Sequence, residues 1–167
     1  DTVMHKNVII PTDFQVTSLV TIKKVIADLK EGDTVSIKLV HGYQLNDSIT
    51  DLLFYSRRTL YANLVPQDFL ESCQVIQNKH NATVTNLDIE FFHGGNAKAL
   101  KQFCDKRRIN LAYIPVGQNP VQTHKRSFDL IPLLDKLEIK KQSCIVNTAV
   151  EMPMERVSEF ILNEMNA

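Results

Sequence analysis

Short aliphatic runs alternate along this chain with stretches whose apolar positions recur every three or four residues. Val8-Ile9-Ile10 is a continuous apolar run, the pattern of a strand buried on both faces, and it runs into Pro11-Thr12-Asp13. Leu19, Ile22, Ile26 and Leu29 follow at helical spacing, with Gly32 placed to end that helix. TVSIKLVHGY alternates at Val35, Ile37 and Leu39 and reads as a second strand. Residues 48–80 read as two helices broken at Pro66. The first carries Ile49, Leu52, Leu53 and Leu60; the second carries Phe69, Cys73 and Ile76. TVTNLDIEFF is a third strand ending at His93-Gly94-Gly95. The segment NAKALKQFCDKRRI opens on Asn96, a good cap, and sets Ala97, Leu100, Phe103 and Cys104 on one helical face. NLAYIPVG is a fourth strand, SFDLIPLLDKLEIK a helix with an early proline and Ser127 as its cap, and SCIVNTAV a fifth strand. A last helix at about residues 154–166, with Val157, Phe160 and Ile161 in contact spacing, closes the chain.

This alternation predicts a Rossmann-like, doubly wound α/β domain: a mostly parallel sheet with helices on both faces and an extra helical segment between strands two and three. Ligands in such sheets sit at the carboxyl ends of the strands, near a topological switch point. Pro11-Thr12-Asp13, His41-Gly42, His93-Gly94-Gly95 and Gly117 all fall just past strand ends and so belong to one rim. With 167 residues and neither a repeat nor a Gly/Ser linker, a single domain over residues 1–167 is expected.

Composition narrows the function classes. Hydrophobic residues are 44% and charged ones 23%, and formal net charge is zero, so the balance suits a globular protein and supplies no electrostatic attraction for nucleic acid or acidic membrane. No apolar run approaches the roughly 20 residues that cross a bilayer. No signal-peptide pattern opens the chain, and a cytoplasmic location is expected; the chain starts at Asp1, which keeps the soluble domain of a transporter as an alternative. Cys73, Cys104 and Cys144 are odd in number, far apart and at apolar positions, which reads as core thiols rather than a disulfide framework or zinc site. His41 and His93 each precede a glycine at a strand end and could face one another across the rim, but no third ligand has metal spacing, and no nucleophile motif is readable. No catalytic or metal residue is assigned.

NVIIPTDF, GGNAKALKQFCDKRRINLAYIPVG and SCIVNT, in this order and spacing, resemble the universal stress protein family. The resemblance covers about residues 6–149. It implies a five-stranded sheet of order 3-2-1-4-5, a homodimer and a role in stress response as a binding or regulatory module, with a protein partner as a further option. Many members bind ATP through G-x-x-G followed, after a nine-residue spacer, by G-[ST]. Glycines there let backbone N–H groups approach phosphate oxygens.

Here the loop reads VGQNPVQTHKRSFDLIPLL. Gly117 fits the first glycine, but Pro120 stands at the second. Counting forward from there reaches Leu130-Ile131 and counting back from Cys144 reaches Pro132-Leu133, so neither count recovers the terminal pair. The standard triphosphate cradle is therefore absent, and no cofactor is expected. The alternative is that Lys125, Arg126 and Ser127 hold the phosphates of ATP or another adenine nucleotide, in a binder or slow ATPase. The remaining site candidates are Pro11, Thr12, Asp13, Val40 and Gly94. By the resemblance Asp13 lies near the adenine or ribose; as a structural residue it caps the first helix, and both roles stay open.

Overall fold

The structure, a computed structural model, describes residues 2–45, 56–117 and 119–146. The expected helix at 154–166, residues 147–150 of the expected fifth strand, and Ile49, Leu52 and Leu53 of the segment at 48–80 lie outside them.

Strand β1 (His5–Pro11) leads through a tight turn into helix α1 (Val16–Ala27), and β2 (Thr34–Tyr43) follows. Helices α2 (Arg57–Leu64) and α3 (Gln67–Lys79) meet at Pro66, the residue that caps α3. Proline suits that boundary because it has no N–H to lose and its φ is already extended into a helix start. Then come β3 (Val84–Phe92), α4 (Ala97–Lys106), β4 (Leu111–Val116), β5 (Ser127–Phe128), α5 (Ile131–Leu134) and β6 (Lys140–Ile145). The sheet order is β3-β2-β1-β4-β6, all parallel, which is the order 3-2-1-4-5 with the last strand renumbered.

Side-chain alternation along β1 divides the core. Val8 and Ile10 face a layer containing Leu19, Ile22 and Val25 of α1 and Phe69 and Ile76 of α3. Ile9 faces the opposite layer, with Val40, Ala112, Leu100 and Cys104 of α4 and Leu134 of α5. The predicted stripe on α4 is the buried one, and Asn96 caps it by accepting from the Ala99 amide at 2.9 Å. Cys73, Cys104 and Cys144 are buried free thiols, and burial pushes Cys73 up to about 12 and Cys104 up to about 11, so both are poor nucleophiles.

Both helices expected at the rim differ from their sequence patterns. Ser127 does not cap a helix: Ser127 and Phe128 form a sixth strand, antiparallel to Tyr43 and Gly42 at the end of β2. The helix that follows spans only Ile131–Leu134, with Pro132 in its first turn and the Ile131 amide donating to Asp129 Oδ1 at 3.0 Å. The first helix, too, has Gln15 rather than Asp13 as its N-cap, and it ends at Ala27, before Gly32.

Gly42 is where β5 comes closest. A Cβ there would lie 2.6 Å from the Phe128 carbonyl oxygen and 2.8 Å from its ring. Gly95, by contrast, has open space around a notional Cβ. Gly42→Ala is expected to lower unfolding free energy by about 1–3 kcal/mol and Gly95→Ala by less than about 0.5 kcal/mol in urea titrations; equal effects would mean that β5 does not press on β2.

A candidate ligand pocket at the strand ends

The turn after β1 is built from its own side chains. Thr12 Oγ1 accepts from the Phe14 amide at 3.0 Å and pairs with Ser18 Oγ at 2.7 Å, while Asp13 Oδ1 accepts from the Gln15 amide at 3.2 Å. Phe14 takes a positive φ of 62°, rare for a residue with a Cβ. Its ring is fully buried in the core, where it stacks on His41 at 4.5 Å and meets Phe69 and Phe91 edge-on, contacts that offset the cost of this backbone conformation.

The long loop after β4 returns to this turn. Asp13 Oδ2 accepts from the Val121 amide at 2.8 Å, and Thr123 Oγ1 donates to the Asp13 carbonyl at 3.0 Å. His41, 3% exposed, bridges the two segments: Nδ1 lies 2.8 Å from the Thr12 carbonyl and Nε2 lies 2.7 Å from Ser127 Oγ. The Gln44 amide then donates to the Arg126 carbonyl at 2.8 Å. Between loop and strand ends lies a cavity of about 690 Å³, within the usual range for small-molecule sites. Val40, Val116, Val146 and Leu130 give it apolar walls, and its charged lining side chains among the described residues are Asp13 and Asp129.

Of the sequence candidates, Pro11, Thr12, Asp13, Val40 and Ser127 come together here. Gly94, Gly117, Lys125 and Arg126 are not among the lining residues. A Cβ on Gly94 would lie 2.5 Å from the Phe92 ring and 2.7 Å from the Ala99 Cβ, so this glycine serves helix-to-strand packing. Gly117, at φ 105°, turns the chain out of β4 beneath the Val146 carbonyl. His93 Nδ1 lies 2.7 Å from the Tyr43 carbonyl, while both ring nitrogens of His41 are taken up by Thr12 and Ser127. No group of three or more metal-binding side chains occurs among the described residues.

Sequence reading missed the His41–Ser127 contact and the hold of Asp13 on the loop. The partners stand 86 and 108 residues apart, so no spacing motif could carry them. The one available signal was that both His41 and Asp13 follow strand ends.

No family model matches the sequence, and no curated protein matches it. The chain does align with solved structures. That of hypothetical protein MJ0577, the subject of a structure-based assignment of biochemical function, gives a TM-score of 0.53 at 13% identity, covering 87% of this chain and 99% of the other. A universal stress protein in complex with cAMP gives 0.46 at 19% identity, covering 86% and 97%. Universal stress protein UspA from Lactobacillus plantarum gives 0.49 at 7% identity, covering 87% and 100%. The protein is thus a doubly wound α/β protein with a ligand-sized pocket at its strand ends. Solved structures similar to it include universal stress proteins, the family that its sequence motifs resemble.

Burial holds the His41 pKa below its ordinary value, against opposing contributions from the Thr12 carbonyl and the Asp13 charge; burial also lowers that of His80. The unfolded chain takes up these protons near pH 6.5 and the folded protein only at lower pH, so stability is full above about 6.5 and falls as pH drops toward the folded-state values. The melting temperature is expected to fall between pH 7.5 and 5.5, and His41→Gln to flatten that slope while costing about 1–3 kcal/mol at pH 7.5. An unchanged slope in the variant would show that His41 is not buried as a neutral ring.

Proposed function

We propose that this protein is a stress-response binding or regulatory module of the universal stress protein type, whose pocket takes a nucleoside-sized ligand and does not hold ATP in the usual way. The observation that carries this reading is the fate of the loop after β4. The first amide beyond Pro120, that of Val121, donates to the Asp13 carboxylate instead of facing the pocket as a free anion donor. The charges on the pocket wall have the wrong sign for a triphosphate as well, since Asp13 and Asp129 would repel it. Lys125 and Arg126 share the loop but not the wall.

The reading extends to a single domain and to a homodimer, supported by the edge position of β6 and the 76% exposure of Ile145. It extends to a reducing compartment such as the cytoplasm, supported by three buried free thiols. No helix among the described residues is long and apolar enough to cross a membrane.

Calorimetric titration of the full chain, with and without Mg²⁺, tests the ligand reading. Adenosine is expected to bind at least about tenfold more tightly than ATP, a difference of about 1.4 kcal/mol. Tight saturable ATP binding that is lost in Lys125→Ala/Arg126→Ala would instead establish a nucleotide binder with a basic-loop phosphate site.

A further inference from the structure

The cavity wall brings together a hydroxyl, an imidazole and a carboxamide that a binding role does not use. Ser127 Oγ lies 2.7 Å from His41 Nε2, and both residues line the cavity. The proton positions follow from chemistry. The Thr12 carbonyl, 2.8 Å from Nδ1, can only accept, so Nδ1 carries the ring hydrogen and Nε2 presents its lone pair to Ser127. Ser127 is therefore the donor, and its proton points at a base. The ring cannot turn away, being stacked on Phe14 at 4.5 Å and set edge-on to Phe91 at 6.1 Å. Nucleophile, base and a third group orienting the base are the arrangement that activates a hydroxyl, here with a main-chain carbonyl as the orienting group.

The same cavity lining offers a side-chain donor for a developing oxyanion. Gln122 Nε2 donates to the Lys125 carbonyl at 3.3 Å and to the Ser127 carbonyl at 3.5 Å, and Gln122 lines the same cavity. Both bonds are long, so the amide can exchange them for a stronger acceptor. Asp13 and Asp129 on the wall disfavour anionic substrates, while Val40, Val116 and Leu130 suit an apolar acyl group.

We propose that Ser127 is a nucleophile, activated by His41, that accepts the acyl group of an uncharged carboxylic ester bound in this cavity. Ser127 Oγ forms a bond to the ester carbonyl carbon as its proton passes to His41 Nε2, and Gln122 donates to the resulting oxyanion. The tetrahedral adduct collapses by breaking the bond to the alkoxy group, which takes the proton from His41 and leaves as an alcohol. Water then attacks acyl-Ser127 by the same route, releasing the carboxylic acid and restoring the hydroxyl. This activity does not depend on whether the cavity also binds a nucleoside.

The test uses the full chain with p-nitrophenyl butyrate and with diisopropyl fluorophosphate, two uncharged reagents, followed by intact-mass measurement and peptide mapping. One adduct per chain, on the peptide containing Ser127, is expected, with nitrophenolate released and the rate rising with pH through the titration of His41. Ser127→Ala should abolish the adduct, and His41→Gln should slow acylation by about a hundredfold or more. Both residues also tether the loop, so Gln122→Ala provides the independent variant. Its side chain is exposed and weakly bonded, so melting should be unchanged while acylation slows at least about tenfold. No adduct on Ser127 in the folded wild-type protein, or labelling scattered over surface residues, would overturn the proposal, as would a Gln122→Ala rate equal to wild type.

Discussion

The Asp13 carboxylate sits where β1 ends, and the geometry of the rim depends on what it accepts. One oxygen takes the Gln15 amide and fixes the turn into α1; the other takes the Val121 amide and draws the β4 loop back across the strand ends. A carboxylate accepting two backbone N–H groups is a strong, charge-assisted anchor. Further contacts fix the loop: Thr123 Oγ1 to the Asp13 carbonyl, His41 to Ser127, the Gln44 amide to the Arg126 carbonyl, and β5 to the end of β2. Without the Asp13 carboxylate those ties would still hold residues 123–128, and the cavity would lose the bond that fixes its wall at residues 119–122.

The Val121 amide is thereby committed. A phosphate site in a doubly wound fold relies on amides turned toward the ligand and on a helix N-terminus behind them. Here the Val121 amide faces a carboxylate, Pro120 has no amide hydrogen, and α5 has only four residues. The space left is lined by aliphatic side chains, neutral polar groups and two acids. The same contacts that close the pocket also hold Ser127 against His41, so loop closure and hydroxyl activation share one set of bonds.

Periodicity alone located β2 to the residue and β1, β3 and β4 to within three, because each is an apolar run bounded by turn chemistry. The last strand, expected over residues 143–150, runs Lys140–Ile145 and begins in the polar Lys140-Lys141-Gln142 that no apolar pattern marks. Pro66 and Asn96 marked helix starts for reasons local to those residues. The failure lay at Ser127. A serine ahead of an apolar stretch has the signature of a helix cap, but Phe128 is drawn into a two-residue ladder by Gly42, which is far away in sequence and small enough to admit it. Asp13 was readable as a strand-end carboxylate, and its partner was not, because a bond across 108 residues leaves no local pattern. The loss of the glycines was legible; the reassignment of the loop to Asp13 and His41 was not.

Amide hydrogen exchange at Val121, followed by NMR with and without ATP, bears most directly on the claim that this loop is bound to Asp13 instead of to phosphate. The account predicts a protected Val121 amide in the free protein, the same protection with ATP present, and fast exchange in Asp13→Ala. An unprotected amide that becomes protected only when ATP is added would contradict it.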